Sequence, residues 1–255
     1  MLIQDTRAIV SGGASGLGLA VAELVVAAGG KVALFDVNDQ AGVEAVRTLG
    51  PAASFCKVDV TTESAVAAAV AAATAAMGGF NLAVCCAGVG WPKRMVGKEG
   101  TMPGDFFRKV IEINLVGTLL LCKEAAAAMQ KNAPNADGER GALVMTASVA
   151  AFDGQIGQVA YAASKGGVVS MTLPMARELA SSGIRVVTIA PGLFMTPMLA
   201  ALPQEARDSL GQQVPFPSRL GRPAEYAQLV RQIVENPMLN GETIRLDGAI
   251  RMAPR

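Results

Sequence analysis

Tyr161 and Lys165 stand four residues apart in Tyr161-Ala162-Ala163-Ser164-Lys165, and Ser148 lies 13 residues before Tyr161. On a helix that spacing puts a phenol and an ammonium on one face. A phenol ordinarily loses its proton near pH ~10 and is a poor base at neutral pH. A positive charge beside it favours the phenolate, and each unit of lowering is about 1.4 kcal/mol of differential interaction. The pair reads as a device for moving a proton on and off an oxygen, with Ser148 holding that oxygen. Taken singly, the three residues have plainer readings: a cap, a core aromatic and a surface cation. The chain has no histidine, which excludes Ser-His-Asp and Cys-His triads, His-ligated zinc and a His general base. Tyr161 and Tyr226 are its only tyrosines.

A second element gives that pair something to work on. Ser11-Gly12-Gly13-Ala14-Ser15-Gly16-Leu17-Gly18 follows the apolar run Ala8-Ile9-Val10 and opens a helical stretch reaching about Ala28. In that strand-turn-helix setting Gly12 permits a tight turn, Gly16 lets backbone approach a pyrophosphate, and Gly18 allows close packing of helix and strand. The helix N-terminus adds free N–H groups and partial positive charge. A purely structural turn is the competing reading. Asp36 tips the balance: it ends the second apolar run, 18 residues beyond Gly18. A carboxylate there accepts hydrogen bonds from ribose hydroxyls and repels a 2′-phosphate. Val37-Asn38 supplies no arginine for such a phosphate, so the expected cofactor is NAD rather than NADP. Capping of the strand end is the alternative role for Asp36.

The elements that must position these residues alternate. Apolar runs at Lys31–Phe35, Ala53–Val58, Leu82–Cys86, Ala142–Thr146, Val186–Ile189 and Thr243–Leu246 are separated by helical stretches. Asp39 is expected to cap one helix, and one long helix is expected over Asp105–Gln130. Runs apolar on both faces, separated by helices, imply a parallel doubly wound α/β sheet of seven strands, a Rossmann fold in a single domain over 1–255. Three polar segments interrupt the rhythm, 91–104, 132–140 and 194–222, each placed where it could border a cleft. Lys93, Arg94 and Lys98 in the first read either as a phosphate-binding set or as a solvated loop. Met195, Met198 and Leu202 in the third read as an apolar lid or as core.

Composition bounds the rest. The 255 residues carry a net charge of +1, from 22 basic and 21 acidic side chains. That balance gives no support to a nucleic-acid or acidic-membrane surface. Ala65–Met77 is too short to span a bilayer, and the first seven residues lack a signal-peptide pattern. Adjacent Cys85 and Cys86 fit neither a disulfide framework nor a metal site, which points to a reducing compartment. A cytoplasmic, bacterial protein without a metal is the expectation.

In these residues the chain resembles the short-chain dehydrogenase/reductase family over nearly its whole length. The glycine turn, Asp59-Val60 after the third strand, a motif after the fourth, Asn114 in the central helix, and Ser148, Tyr161 and Lys165 occur in that family's order. Two positions depart from its pattern: Ser11 stands for a threonine, and Cys85-Cys86-Ala87-Gly88 for Asn-Asn-Ala-Gly. A narrower resemblance, to the short-chain 3-hydroxyacyl-CoA dehydrogenases (also called type 10 17β-hydroxysteroid dehydrogenases), rests on Ala147 to Gln155, Ala190 to Phe194, Val214 to Leu220 and Leu239 through Met252. It implies an NAD-dependent homotetramer that oxidises 3-hydroxyacyl-CoA to 3-oxoacyl-CoA. It further implies NAD contacts from Gly12, Ser15, Gly16, Leu17, Gly18, Asp36, Asp59, Val60, Cys86, Ala87, Gly88, Tyr161, Lys165, Pro191, Phe194 and Thr196. Ser148, Gln155 and Tyr161 would meet substrate, and Asn114 would bend its helix and hold a water linking Lys165 to solvent. The alternatives are a dehydrogenase of another secondary alcohol such as a hydroxysteroid, a 3-oxoacyl reductase, or a cofactor-sensing or structural protein without turnover.

Overall fold

Strands that are apolar on both faces must be covered on both, and here they are. The computed structural model describes residues 1–98, 100–200 and 202–254, the side chain of Met198 excepted. The strands are β1 (Arg7–Ser11), β2 (Lys31–Asp36), β3 (Ala53–Lys57), β4 (Leu82–Cys85), a small hairpin β5 (Val96–Gly97) and β6 (Gly100–Thr101), then β7 (Gly141–Thr146), β8 (Ile184–Pro191) and β9 (Thr243–Leu246). The hairpin stands apart. The other seven form one all-parallel sheet in the order β3-β2-β1-β4-β7-β8-β9. The helices are α1 (Gly16–Ala27), α2 (Asp39–Leu49), α3 (Glu63–Met77), α4 (Gly104–Ile111), α5 (Gly117–Met129), α6 (Val159–Leu179), α7 (Pro197–Ala200), α8 (Gln204–Gln212) and α9 (Pro223–Glu235).

Alternation along each strand divides the core in two. Ile9, Phe35, Ala83, Cys85, Leu143 and Met145 pack against α3, α5 and α6. Their neighbours Ala8, Val10, Leu34, Val84 and Val144 pack against α1 and α9 on the other face. The doubly wound class expected from the sequence is therefore the one observed.

Three local expectations are corrected. Asn38, not Asp39, caps α2: its side chain accepts from Ala41 N at 3.1 Å, leaving Asp39 as the first helical residue. The single helix expected over Asp105–Gln130 is interrupted by a π-helical turn at Glu112–Val116. The 132–140 segment borders no cleft. Asn132 Nδ2 donates to Phe80 O at 2.8 Å and to Arg140 O at 2.9 Å, and Glu139 accepts from Arg185 Nε at 2.7 Å. These bonds tie together the N-terminal ends of the strands, whereas Ser11, Cys85 and Thr146 lie at the C-terminal ends. Among the described residues, no helix is long and apolar enough to cross a membrane.

Candidate active site

The chain runs outward from β1 to β3 and then returns on the other side of β1 as β4. A sheet of this kind opens a crevice at that reversal, beyond the strand C-termini. Gly12 sits in it with φ +62°, and a Cβ there would lie 2.8 Å from Ala87 N and the Cys86 carbonyl carbon. Any side chain would close the crevice. Gly18 is needed for a different contact from the one expected. Its Cβ would lie 2.3 Å from the Gly12 carbonyl oxygen, so it seats the helix on the turn rather than on a strand. Gly18→Ala is expected to lower thermal stability by roughly 1–3 kcal/mol and to weaken cofactor binding, measured by melting and by nucleotide titration. Unchanged melting and binding would show that the turn shifts freely.

At the start of α1, Ser15 is the N-cap residue but makes no side-chain cap hydrogen bond, and the first turn holds no acidic residue. Its N–H groups are thus left for an anion. Asp36 Oδ2 accepts from Ala14 N at 3.2 Å and Oδ1 from Asn38 N at 3.0 Å. The carboxylate braces the glycine turn and still faces the cavity.

That cavity has a volume of 980 Å³. Its wall takes in Gly12 and Ser15 to Gly18, Asp36, Asp59, Val60, Cys86 to Gly88, Ser148, Tyr161, Lys165, Pro191, Phe194 and Thr196. Two residues expected at the site are not on it. Gln155 lies off the wall, its Nε2 donating to Ala253 O at 3.0 Å, while Gln158 lines the cavity. Asn114 is buried behind the wall, in the π-turn. Its Oδ1 accepts from Val89 N at 2.8 Å, and its Nδ2 donates to Val89 O at 2.9 Å and Ser164 Oγ at 3.0 Å. It pins the strand-following segment to α6. Gly88 fits between them: a Cβ there would lie 3.0 Å from Asn114 Oδ1 and 3.5 Å from Lys165 Nζ.

Ser148 ends the segment after β7. Its Oγ accepts from Ala150 N at 3.1 Å, so it caps a short 3-10 turn and faces Tyr161 at once. Tyr161 and Lys165 share the first turns of α6. The electrostatics run opposite to the expectation from spacing. Burial pushes the Tyr161 phenol above its ordinary 10, and the Ser148 hydroxyl pulls the other way. Lys165 Nζ lies 5.9 Å from the Tyr161 ring centroid and donates to Thr146 O at 2.7 Å. Burial draws its own pKa down to about 8. Two poorly solvated groups thus face one cavity, the phenol in its neutral form and the amine only weakly basic.

The Cys85-Cys86 departure is resolved by the pleat. Cys85 points into one core layer, its Sγ 3.6 Å from Cys122 Sγ. Cys86 points to the opposite face, where Thr146 Oγ1 lies 3.5 Å from its Sγ and 2.7 Å from Tyr226 Oη. Burial raises the Cys86 thiol to about 11, so it stays protonated. Among the described residues no group of three or more His, Cys, Asp or Glu side chains could hold a metal.

Several wall residues are not singled out in the sequence, although Trp91 and Leu199 fall in segments expected to border a cleft. Trp91, Arg108, Lys109, Leu199 and Met252 all line the cavity. Arg108 and Lys109 come from α4, where neither a strand end nor motif spacing marks a site. Of the supposed lid, Met195 and Leu202 are not on the wall, and the Met198 side chain lies outside the described residues. Lys93, Arg94 and Lys98 are also off the wall.

Comparison with known proteins agrees with this arrangement. A family model described as short chain dehydrogenase matches residues 6–207. A human protein, 3-hydroxyacyl-CoA dehydrogenase type-2, is 51% identical over 254 residues, covering 99% of this chain and 97% of that protein. The Drosophila melanogaster protein of the same name is 51% identical over 255 residues, 99% of this chain and all of that one. The crystal structure of 3-hydroxyacyl-CoA dehydrogenase type-2 from Mycobacterium avium superposes with a TM-score of 0.93 at 42% identity, covering 99% of this chain and 98% of that one.

Proposed function

Because the chain belongs to the short chain dehydrogenase family, we propose that it oxidises the 3-hydroxyl of a 3-hydroxyacyl-CoA to the 3-oxo compound, reversibly, with NAD as cofactor. The observation that carries this is the convergence of Ser148, Tyr161 and Lys165 on one cavity with the glycine turn. The full-length likeness to proteins named 3-hydroxyacyl-CoA dehydrogenase type-2 supports the substrate class. The turn suits a dinucleotide: its glycines leave room where a Cβ would collide, and the α1 N-terminus is left uncapped by side chains. Bound there, NAD supplies the acceptor for the hydride that leaves the carbinol carbon. Tyr161 must first release its own proton to water; as the phenolate, its Oη takes the hydroxyl proton, and Ser148 Oγ donates to the oxygen as it becomes a carbonyl. Lys165, held against Thr146 O, favours the phenolate by its charge. Asn114 acts through position, fixing the segment that faces Lys165.

Preference for NAD rests on Asp36. Asp36→Ala is expected to lower the ratio of kcat/KM with NAD to that with NADP by about tenfold or more, the scale of one charged contact. An unchanged ratio would remove that role and leave Asp36 as a brace for the turn. The assembly proposed with this reading is a homotetramer, to be measured by sedimentation. Following NADH absorbance with a panel of 3-hydroxyacyl-CoAs, steroids and simple alcohols tests the reaction itself. Turnover confined to steroids or simple alcohols would replace the substrate proposed.

A further inference from the structure

Tyr226 takes no part in the steps above, yet it carries a polar group into the core. Helix α9 buries Tyr226, Ala227, Val230, Ile233 and Val234, and the phenol is the only hydroxyl in that set. A buried hydroxyl is costly unless it is bonded. Its Oη lies 2.7 Å from Thr146 Oγ1 and accepts from Cys86 Sγ at 3.7 Å, while Thr146 Oγ1 donates to Cys86 Sγ at 3.5 Å. With Thr146 donating to the thiol, the thiol to the phenol and the phenol to Thr146, the three side chains close a ring. Each donates once and accepts once, so all are satisfied within the ring.

The ring bears on Lys165 through Thr146. Met145 points into the core layer shared with α6, so the pleat turns the Thr146 side chain to the α9 face. The Thr146 carbonyl accepts from Lys165 Nζ at 2.7 Å. Pairing of β7 with β4 stops one residue earlier, at Cys85 and Met145, whereas pairing with β8 continues to Thr146 and Ile189. On the β4 side Thr146 is therefore held by its hydroxyl and not by the ladder. The titratable groups facing Lys165 are Tyr161 on its own helix and Cys85 and Cys86 from the end of β4. The contact with Cys122 and burial keep Cys85 protonated, and burial does the same for Cys86. Neither thiol offers the ammonium an anion at neutral pH, which leaves the carbonyl as its partner. We propose that Tyr226 is a positioning residue for the reaction: by fixing Thr146 at the end of β7 it holds the carbonyl to which Lys165 donates, and so places the ammonium beside Tyr161. The assignment rests on the reading above, in which Lys165 favours the phenolate.

Tyr226→Phe deletes the hydroxyl and keeps the ring that packs in the core. Its kcat for 3-hydroxybutyryl-CoA is expected to fall about three- to tenfold, the scale of one hydrogen bond, with KM for NAD nearly unchanged. A poorly aimed carbonyl stabilises the ammonium less, so the descending alkaline limb of the kcat profile should move to lower pH by about 0.5–1. In protein carrying ¹³C-lysine, the resonance that Lys165→Met lacks should titrate lower by the same amount, with no substrate present. Thr146→Val, of the same shape without the hydroxyl, should reproduce both effects, and adding Tyr226→Phe to it should cost nothing further. Thr146→Ser, which keeps the hydroxyl, should recover most of the loss. A structural role alone would lower Tm in Tyr226→Phe and leave the alkaline limb and the lysine titration in place. That result would overturn the assignment, as would losses that add in the double variant. If Tyr226→Phe does not fold, Thr146→Val decides, and an unmoved lysine titration there overturns it. A moved titration in a protein that turns over no 3-hydroxyacyl-CoA would instead sink the proposed reaction and leave the placement of Lys165 standing.

Discussion

Tyr161→Phe is expected to lower kcat for oxidation of a 3-hydroxyacyl-CoA by about 10²–10⁴-fold, the usual worth of a positioned general base, while NAD binding stays nearly intact. The substitution removes one oxygen and keeps the ring, so packing at the start of α6 and the wall of the cavity are preserved. None of the nearby hydroxyl or thiol groups is placed to take over. Ser148 Oγ is already engaged by Ala150 N, and Cys86 is held protonated by burial, its pKa about 11. The second tyrosine, Tyr226, is fully buried with its Oη 2.7 Å from Thr146 Oγ1 and is not on the cavity wall. Stopped-flow measurement of NADH formation separates the chemical step from product release, and fluorescence titration gives the cofactor affinity. Turnover within about threefold of the parent protein would be too small a loss for a general base and would end the assignment of Tyr161 to proton transfer.

Much of this arrangement was legible before any coordinates. Seven apolar runs separated by helices are a sheet that must be covered on both faces, and the glycine turn between the first run and its helix marks the reversal point where such sheets bind ligands. The wall of the cavity then follows from strand ends. What escaped was whatever depends on solvent and on contacts between segments far apart in the chain. The Tyr161-Lys165 spacing correctly puts both side chains on one cavity, yet the direction of the phenol shift was reversed, because spacing reports the nearby charge and not the loss of water. The contact between Gln155 Nε2 and the carbonyl of Ala253, 98 residues away, is one of those between distant segments. The π-turn at Glu112–Val116 leaves no mark on the periodicity, since the residues on either side are equally helical; only the family resemblance, through Asn114, pointed to a bend there.

The same loss of water makes Lys165 the residue where stability and activity conflict most. Its pKa of about 8 in the folded chain, against an ordinary 10.5, means that the unfolded chain holds more protons between those two values. Stability therefore rises with pH across that window. Below about 8 the folded protein carries the full cost of a buried ammonium, which the shift sets at about 3 kcal/mol. Lys165→Met keeps the length of the side chain and removes the charge, at the expense of the hydrogen bond to Thr146 O, worth about 1–2 kcal/mol when its acceptor is left unsatisfied. The variant is accordingly expected to be more stable than the parent protein at pH 7 by about 1–2 kcal/mol, raising Tm by a few degrees, and to lose turnover by about 10²-fold or more. The difference in stability should shrink, then reverse, as pH climbs from about 8 toward 10.5, because the parent lysine sheds its proton while methionine has none to lose. Denaturant titrations of both proteins across that range read the gap directly. A variant less stable at pH 7, with a gap that does not move with pH, would mean that the Thr146 carbonyl solvates the ammonium well enough to cancel its burial. The lysine would then be an ordinary structural contact rather than a charge held in an unfavourable place for the reaction.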